Sequence, residues 1–211
     1  MRLQLYQQPL TLCVNRDNIQ VNMKTILKII RNRYVFVAAF ASIIAISQFF
    51  VIPLPRGIPI VLKNLFVILA GAVLGSYYGG LANLIVIAAG LLGAPVFVIP
   101  GPATFATPLG GYIIGYFLGS LATGFICGLP KISEKKIQFP AVLKISLASL
   151  LGFAIILLCG VFYMMRLNSM TLSAAFAAGF VPFVFGDFIK LLICIPLAVK
   201  LRPIAARYVN I

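Results

Sequence analysis

The sequence is poor in charge, and acidic residues are almost absent. Charged residues make up 9% of its 211 positions, against roughly 25% in an ordinary soluble domain. Only Asp17, Glu134 and Asp187 are acidic, and there is no histidine. A soluble globular domain is therefore excluded. An intramembrane enzyme would have one membrane carboxylate and no histidine for acid–base work, so no catalytic residues are expected.

Metal, disulfide and nucleotide signatures are also missing. The four cysteines lie at Cys13, Cys127, Cys159 and Cys194, with neither a CxxC spacing nor a histidine beside them. This scatter predicts no disulfide framework and no metal site. The sequence also contains no P-loop. We expect no cofactor, and any transport must draw its energy from elsewhere or run down a gradient.

Apolar residues dominate what is present, at 62% of the chain. They form runs of roughly 20 residues, the length with which an α-helix crosses about 30 Å of hydrocarbon. The runs are apolar on every face, whereas the strands of a membrane β-barrel alternate apolar and polar residues. The sequence therefore predicts an all-α, polytopic membrane protein.

Six transmembrane helices are predicted between breaks rich in glycine and proline. They cover about 34–52, 60–74, 81–92, 109–129, 141–165 and 182–201, with a tight turn at 75–80, a loop at 93–108 and a short extra helix before Pro182. The predicted organisation is a basic tail over 1–33, a six-helix domain over 34–203 and a C-terminal tail over 204–211.

The positive charge indicates orientation and not nucleic-acid binding. The chain carries 17 Lys and Arg residues and a formal net charge of +14. These residues flank the apolar runs, as the positive-inside rule requires. Most fall on the side of both termini and of the loop near 131–136, and Arg56, Lys63, Arg166 and Lys190 fall on the other. We expect a multi-pass plasma-membrane protein with both termini in the cytoplasm.

Two charged residues interrupt the last apolar run. Asp187 and Lys190 are three positions apart and share a helix face. Either costs about 2.5–3.5 kcal/mol at a helix centre, so such residues usually mark a ligand or ion path. They could also simply neutralise each other. As ligand residues they would line a pocket roughly 7 Å below the outer end of the helix.

Other candidates in the apolar runs carry weaker signals. Gly110 and Gly111, followed by Tyr112, begin a predicted helix. The amide N–H groups of the two glycines could bind a carbonyl oxygen or an anion of a ligand, or the glycines could only make the start of a membrane helix flexible. Asn83 and Asn64 could reach a shared polar pocket, although bonding between helices is the commoner use of such residues.

Small residues form a stripe on the first predicted helix. Ala38, Ala41, Ser42 and Ala45 are spaced so that another helix could approach closely. The spacing does not distinguish a helix of this chain from a helix of a partner.

Several of these segments together resemble the BioY family, the biotin-specific substrate-binding (S) components of energy-coupling-factor (ECF) transporters. The matching segments are Ile52-Pro53-Leu54-Pro55, Gly93-Ala94-Pro95-Val96-Phe97, Pro108-Leu109-Gly110-Gly111-Tyr112, Pro182-Phe183 and Gly186-Asp187-Phe188-Ile189-Lys190. The last segment is the most specific. Lys63 departs from the pattern, since it stands where the family usually has a glutamine.

The resemblance implies a six-helix S-component bundle that binds biotin on its outer side. Asp187 and Lys190 would contact the ligand, and Phe97, Tyr112 and Phe183 would cover its rings and alkyl chain. A transmembrane coupling subunit and two ATPases would dock on the small-residue stripe of the first helix. An S component for another small vitamin, or a scaffold that transports nothing, remains an alternative.

Overall fold

The computed structural model describes residues 33–53, 59–130 and 139–209. The predicted tail over 1–33, except Arg33, and the basic loop at 131–136 lie outside these ranges. The elements are α1 (Arg33–Phe49, ending in a 3-10 turn, Ser47–Phe49), β1 (Val51–Pro53), β2 (Pro59–Val61), α2 (Lys63–Leu91), a 3-10 turn (Pro102–Ala106), α3 (Leu109–Cys127), α4 (Phe139–Leu167), α5 (Leu172–Gly179) and α6 (Val181–Val209).

Helix α2 folds back on itself at Gly75. This glycine has φ +82°, in the left-handed region that favours glycine. A Cβ on Gly79 would lie 2.7 Å from the Cα of Gly71, although residues eight apart in a straight helix are separated by about 12 Å. The arms 63–74 and 76–91 are therefore antiparallel. The predicted end of the second helix at Leu74 is confirmed, but the predicted turn over 75–80 shrinks to one residue.

The all-α membrane class is confirmed, and the count of six spans holds approximately. Four helices, α2, α3, α4 and α6, are long and apolar enough to cross a membrane, and α1 is a shorter apolar helix. Because α2 is a hairpin, the described chain has six apolar helical arms besides the short α5. Each arm of α2 is shorter than the roughly 20 residues of a full crossing.

Glycines bring α3 and α4 into close contact. A Cβ on Gly115 would lie 2.8 Å from the Cα of Ile156, and one on Gly119 would lie 2.8 Å from the carbonyl oxygen of Gly152. Real side chains do not approach so closely, and interfaces of membrane helices favour small residues for this reason. The close contact fixes α3, which carries much of the candidate site.

The chain after α4 divides near Pro182, as expected. Helix α5 ends at Gly179 and α6 begins at Val181, so Pro182 lies in the first helical turn, where its missing N–H costs little. Helix α6 continues to Val209 through Pro203, although a tail was predicted from residue 204. Ala205 and Ala206 are fully buried, and this packing offsets the hydrogen bond lost at Pro203.

A small hairpin replaces the end of the predicted first helix and the start of the predicted second helix, together with the prolines at the edges of the loop between them. Strands β1 and β2 are antiparallel, with Val51 opposite Val61 and Pro53 opposite Pro59. The hairpin ends immediately before α2, so it determines where Lys63 enters the bundle.

The two ends of the bundle differ, and we name them by their contents. At the Arg202 end, the guanidinium of Arg202 donates to the carbonyl oxygens of Ala72 at 2.6 Å, Cys127 at 3.2 Å and Gly128 at 3.4 Å. These carbonyl oxygens lie at the end of the first arm of α2 and at the end of α3. At a helix end, the last carbonyl oxygens have no backbone N–H group of the same helix to accept from. The opposite end, where α2, α3 and α6 begin, contains a cavity and is called the pocket end.

Candidate functional site

The cavity at the pocket end has a volume of about 110 Å³. Every helix except α5 contributes to its wall, together with the loop between α2 and α3. The lining residues are Gln48, Lys63, Asn64, Phe97, Val98, Thr104, Leu109, Tyr112, Ile113, Tyr116, Leu157, Phe183 and Lys190.

A buried polar cluster lies beside this cavity: Lys190 and Asn64 line it, whereas Asp187 lines a second cavity between α4 and α6. The ammonium Nζ of Lys190 lies 2.7 Å from Oδ1 of Asp187, and Nδ2 of Asn64 donates to the same oxygen at 3.5 Å. Asp187 and Lys190 are each 4% exposed. The second carboxylate oxygen of Asp187, Oδ2, is buried and has no hydrogen-bond partner among the described residues. A buried carboxylate oxygen without a hydrogen-bond partner lowers the stability of the fold. Oδ2 is therefore available to accept a hydrogen bond from another group.

One face of α3 supplies the aromatic part of the wall. Leu109, Tyr112, Ile113 and Tyr116 follow the helical period and line the cavity. The hydroxyl of Tyr112 donates to the carbonyl oxygen of Gly179 at 2.7 Å, and its ring centroid lies 6.0 Å from that of Phe183. Tyr112 is therefore fixed in place as a wall for a flat or apolar ligand.

The loop between α2 and α3 covers the cavity with one aromatic and one hydroxyl side chain. Phe97 is 6% exposed, and Thr104, on the 3-10 turn, is fully buried. The hydroxyl oxygen of Thr104 has no hydrogen-bond partner among the described residues. A ligand group is one way to satisfy this hydroxyl.

Lys63 is a second buried cation in the wall. Its Nζ donates to the carbonyl oxygen of Val96 at 2.6 Å and lies 4.3 Å from the ring centroid of Phe97 and 5.6 Å from that of Tyr116. Its side chain is 2% exposed. From the sequence, Lys63 was counted among the outer-side charges and as a departure from the family pattern, and it was not among the predicted site residues. Its position beside Asn64, at the start of an apolar run, was the signal for a site residue.

Comparison with known proteins identifies the family. The BioY family model matches residues 19–207, nearly the whole chain. The chain belongs to the BioY family. The biotin transporter BioY of Thermotoga maritima is 35% identical over 165 residues, which are 77% of this chain and 91% of that protein. The probable biotin transporter BioY of Lysinibacillus sphaericus is 34% identical over 161 residues, 73% of this chain and 78% of that protein.

A solved structure shares the fold. It is described as the S-component for biotin from an ECF-type ABC transporter. The match has a TM-score of 0.68 and 26% sequence identity, and it covers 81% of this chain and 90% of that one. This BioY chain thus has the S-component architecture, and BioY proteins are substrate-binding parts of transporters, not enzymes.

Five of the residues predicted from the sequence come together in this BioY chain. Asp187 and Lys190 form the polar cluster, and Phe97, Tyr112 and Phe183 line the cavity beside it. The alternative that Asp187 and Lys190 only neutralise each other is weakened by two observations. Lys190 lines the cavity, and Oδ2 of Asp187 is left without a partner.

Three other predicted residues lie apart from the cavity wall. A Cβ on Gly110 would lie 3.0 Å from the Cα of Phe105, and one on Gly111 would lie 2.7 Å from the carbonyl oxygen of Cys159. These glycines therefore allow close packing around α3. Asn83 is buried and donates to the carbonyl oxygen of Gly79 in its own helix, at 2.9 Å.

The small residues of α1 divide between two faces. Ala41 is buried in the core and Ala45 packs against it. Ala38 and Ser42 are exposed, and the Ser42 hydroxyl donates to the carbonyl oxygen of Ala38 at 2.9 Å. The first pair packs inside this chain, and the second pair faces outward.

Proposed function

We propose that this chain binds biotin in the cavity at the pocket end and serves as the substrate-binding subunit of an ECF-type transporter. The observation that carries the proposal is the ion pair beside the cavity: Lys190 lines the cavity and binds the buried Asp187 carboxylate, which keeps one oxygen without a hydrogen-bond partner among the described residues. Membership of a family whose named members are biotin transporters supports the choice of ligand.

The polar groups of the cavity suit the head of biotin. Its ureido ring offers two N–H donors and one carbonyl acceptor. Oδ2 of Asp187 can accept from an N–H, and Lys190 can donate to the urea oxygen with a proton that Asp187 does not use. Charge-assisted hydrogen bonds of this kind are shorter and stronger than neutral ones. The Thr104 hydroxyl can donate or accept at the same ligand.

The apolar wall suits the rest of the molecule. Phe97, Tyr112 and Phe183 present rings to the cavity, and Leu157 and Ile113 add aliphatic surface. Together they can cover the thiophane ring and the alkyl chain, whose burial contributes about 25 cal/mol per Å² of apolar area. A wall held by the Tyr112–Gly179 hydrogen bond is formed before the ligand arrives, so little ordering is needed on binding.

The sequence contains no nucleotide-binding motif, so uptake driven by ATP would draw its energy from partner proteins. We propose that a transmembrane coupling subunit and two ATPases act on this chain in the plasma membrane, with both termini and the Arg202 end on the cytoplasmic side. The cavity then opens outward. The outward pair Ala38 and Ser42 supports docking on α1, because a helix can approach closely over small residues.

A ligand panel tests the function. Detergent-purified protein is heated with biotin, riboflavin, thiamine or no addition, and its unfolding midpoint is recorded. Biotin at 100 times its Kd stabilises the folded state by about 2.7 kcal/mol through mass action. We expect a shift with biotin alone. A shift only with another vitamin would establish the alternative S component, and no shift with any ligand would favour a scaffold.

Docking has a separate test. Ala38→Trp should reduce copurification with the coupling subunit while leaving biotin binding unchanged, because Ala38 is exposed and distant from the cavity lining. Ala39→Trp is the matched control, since Ala39 is also exposed but lies outside the small-residue stripe. Equal loss of the partner in both variants, or no loss in either, would contradict docking at Ala38.

A further inference from the structure

Lys63 has no part in the Asp187–Lys190–Asn64 cluster, yet it is the other buried cation of the cavity. We propose that Lys63 is the counterion of the ligand's carboxylate, so that the site selects monoanionic ligands over their neutral amides and esters. The inference rests on the proposed function and deepens it, because it assigns the far end of the ligand to a residue of its own.

The hydrogen bonds of Lys63 leave donors available. A lysine ammonium has three N–H donors, and in the described part of the chain only the carbonyl oxygen of Val96 accepts from it. With 2% of its surface exposed, the side chain has little access to water. The two remaining N–H donors of Lys63 lie at the cavity wall, where they can donate to the two oxygens of a ligand carboxylate.

No side chain described in the structure neutralises Lys63. Asp187 is the one carboxylate within the described ranges, and it is bound to Lys190 at 2.7 Å. The rings of Phe97 and Tyr116 lie within 6 Å of the ammonium and attract a cation through their π faces. These rings hold the charge at the cavity wall without cancelling it.

The charge balance of the cavity then points to one negative charge on the ligand. In the described part of the chain, two basic side chains, Lys63 and Lys190, stand against one carboxylate, Asp187, so a protonated Lys63 has no anionic partner of its own. An uncompensated buried charge is expensive. The valerate tail of biotin carries one carboxylate, which removes the imbalance. An amide or a methyl ester of biotin has the same rings and chain but leaves Lys63 uncompensated.

A competing role for Lys63 is purely structural. Through Val96 it holds the loop that also carries Phe97, and a tether of this kind would support every ligand equally. The two roles differ in one respect, since only a counterion distinguishes a carboxylate from its neutral derivatives.

The experiment measures calorimetric affinities of biotin, biotinamide and biotin methyl ester for the wild-type chain, Lys63→Gln, Lys63→Met and the control Lys200→Gln. Lys200 is exposed and lies on α6 toward the Arg202 end. On the wild-type chain, biotin should bind about 10 to 100 times more tightly than either derivative, the range of a charged hydrogen bond. In both Lys63 variants this ratio should fall to about 2 to 3 or less, whereas Lys200→Gln should retain it.

Each other outcome overturns the assignment. If the wild-type chain binds biotin and biotinamide equally well, no counterion distinguishes the carboxylate from the amide. This comparison uses the wild-type chain alone, so it does not depend on the folding of a variant. If the Lys63 variants weaken all three ligands by the same factor, Lys63 is a tether. If none of the three ligands binds the wild-type chain, the proposed function itself fails, a result distinct from biotin binding without discrimination.

Discussion

The two ends of the bundle differ in whether their buried polar groups have hydrogen-bond partners. At the Arg202 end, one guanidinium donates to three carbonyl oxygens that close two helices. At the pocket end, Oδ2 of Asp187 and the hydroxyl of Thr104 lack partners among the described residues, and no carboxylate in the described ranges pairs with Lys63. Unsatisfied polar groups lower stability, so the Arg202 end stabilises the fold, whereas the pocket end leaves polar groups that the proposed ligand can use.

The largest expected effect on stability is at Arg202. Arg202→Gln removes the charged donor that serves Ala72, Cys127 and Gly128, and it should lower the free energy of unfolding by about 3 kcal/mol. Thermal unfolding in detergent measures the loss, and the biotin affinity of the folded fraction should stay unchanged. Arg207→Gln is the matched control, because Arg207 is exposed near the same end of α6. Lost affinity with unchanged stability would break the comparison.

A smaller loss of stability is expected from Gly124→Ala. A Cβ at Gly124 would lie 2.5 Å from the backbone carbon of Gly75 and 2.6 Å from the Cα of Ser76, so α3 must move away from the hairpin of α2. Overpacking of this kind costs about 1–3 kcal/mol. The exposed Phe125, changed to Leu, is the control on the same helix. Equal unfolding midpoints for the two variants would mean that this contact is not tight.

The smallest effect is expected at Tyr112. Tyr112→Phe keeps the ring at the cavity but removes the hydrogen bond to Gly179, worth about 1 kcal/mol. Biotin should bind roughly threefold to fivefold more weakly, because the wall is less firmly held. Tyr77→Phe, at an exposed tyrosine away from the cavity, is the control. A loss of 100-fold would instead mean that the hydroxyl contacts the ligand.

The sequence predicted the membrane class, the helix order and the most polar part of the candidate site, whose role in binding stays a prediction. Asp187 and Lys190 were recognisable because charges in hydrocarbon are rare and costly. Pro182 predicted the start of α6 because proline tolerates only the first turn of a helix. The orientation in the membrane stays a prediction.

Residues whose role depends on distant contacts were harder to predict. Lys63 was placed on the surface because a basic residue near a helix end is usually a flanking charge, and only the fold brings it under the loop that carries Val96. Thr104 gave no signal in its proline-rich segment. Gly110 and Gly111 were considered as ligand contacts, but a Cβ added at either would first meet Phe105 or Tyr163, and sequence spacing cannot distinguish these uses of glycine.

The most direct test of the central claim is a calorimetric double-mutant cycle with biotin on Asp187→Asn, Lys190→Met and the double variant, each checked for folding by its unfolding midpoint. If both residues contact biotin, each single change and the double change should weaken binding, by about 10 to 150-fold per lost charged hydrogen bond. If they only neutralise each other, the double change is milder than either single one, because each single change strands a buried charge. A folded double variant that binds biotin with wild-type affinity would contradict the account.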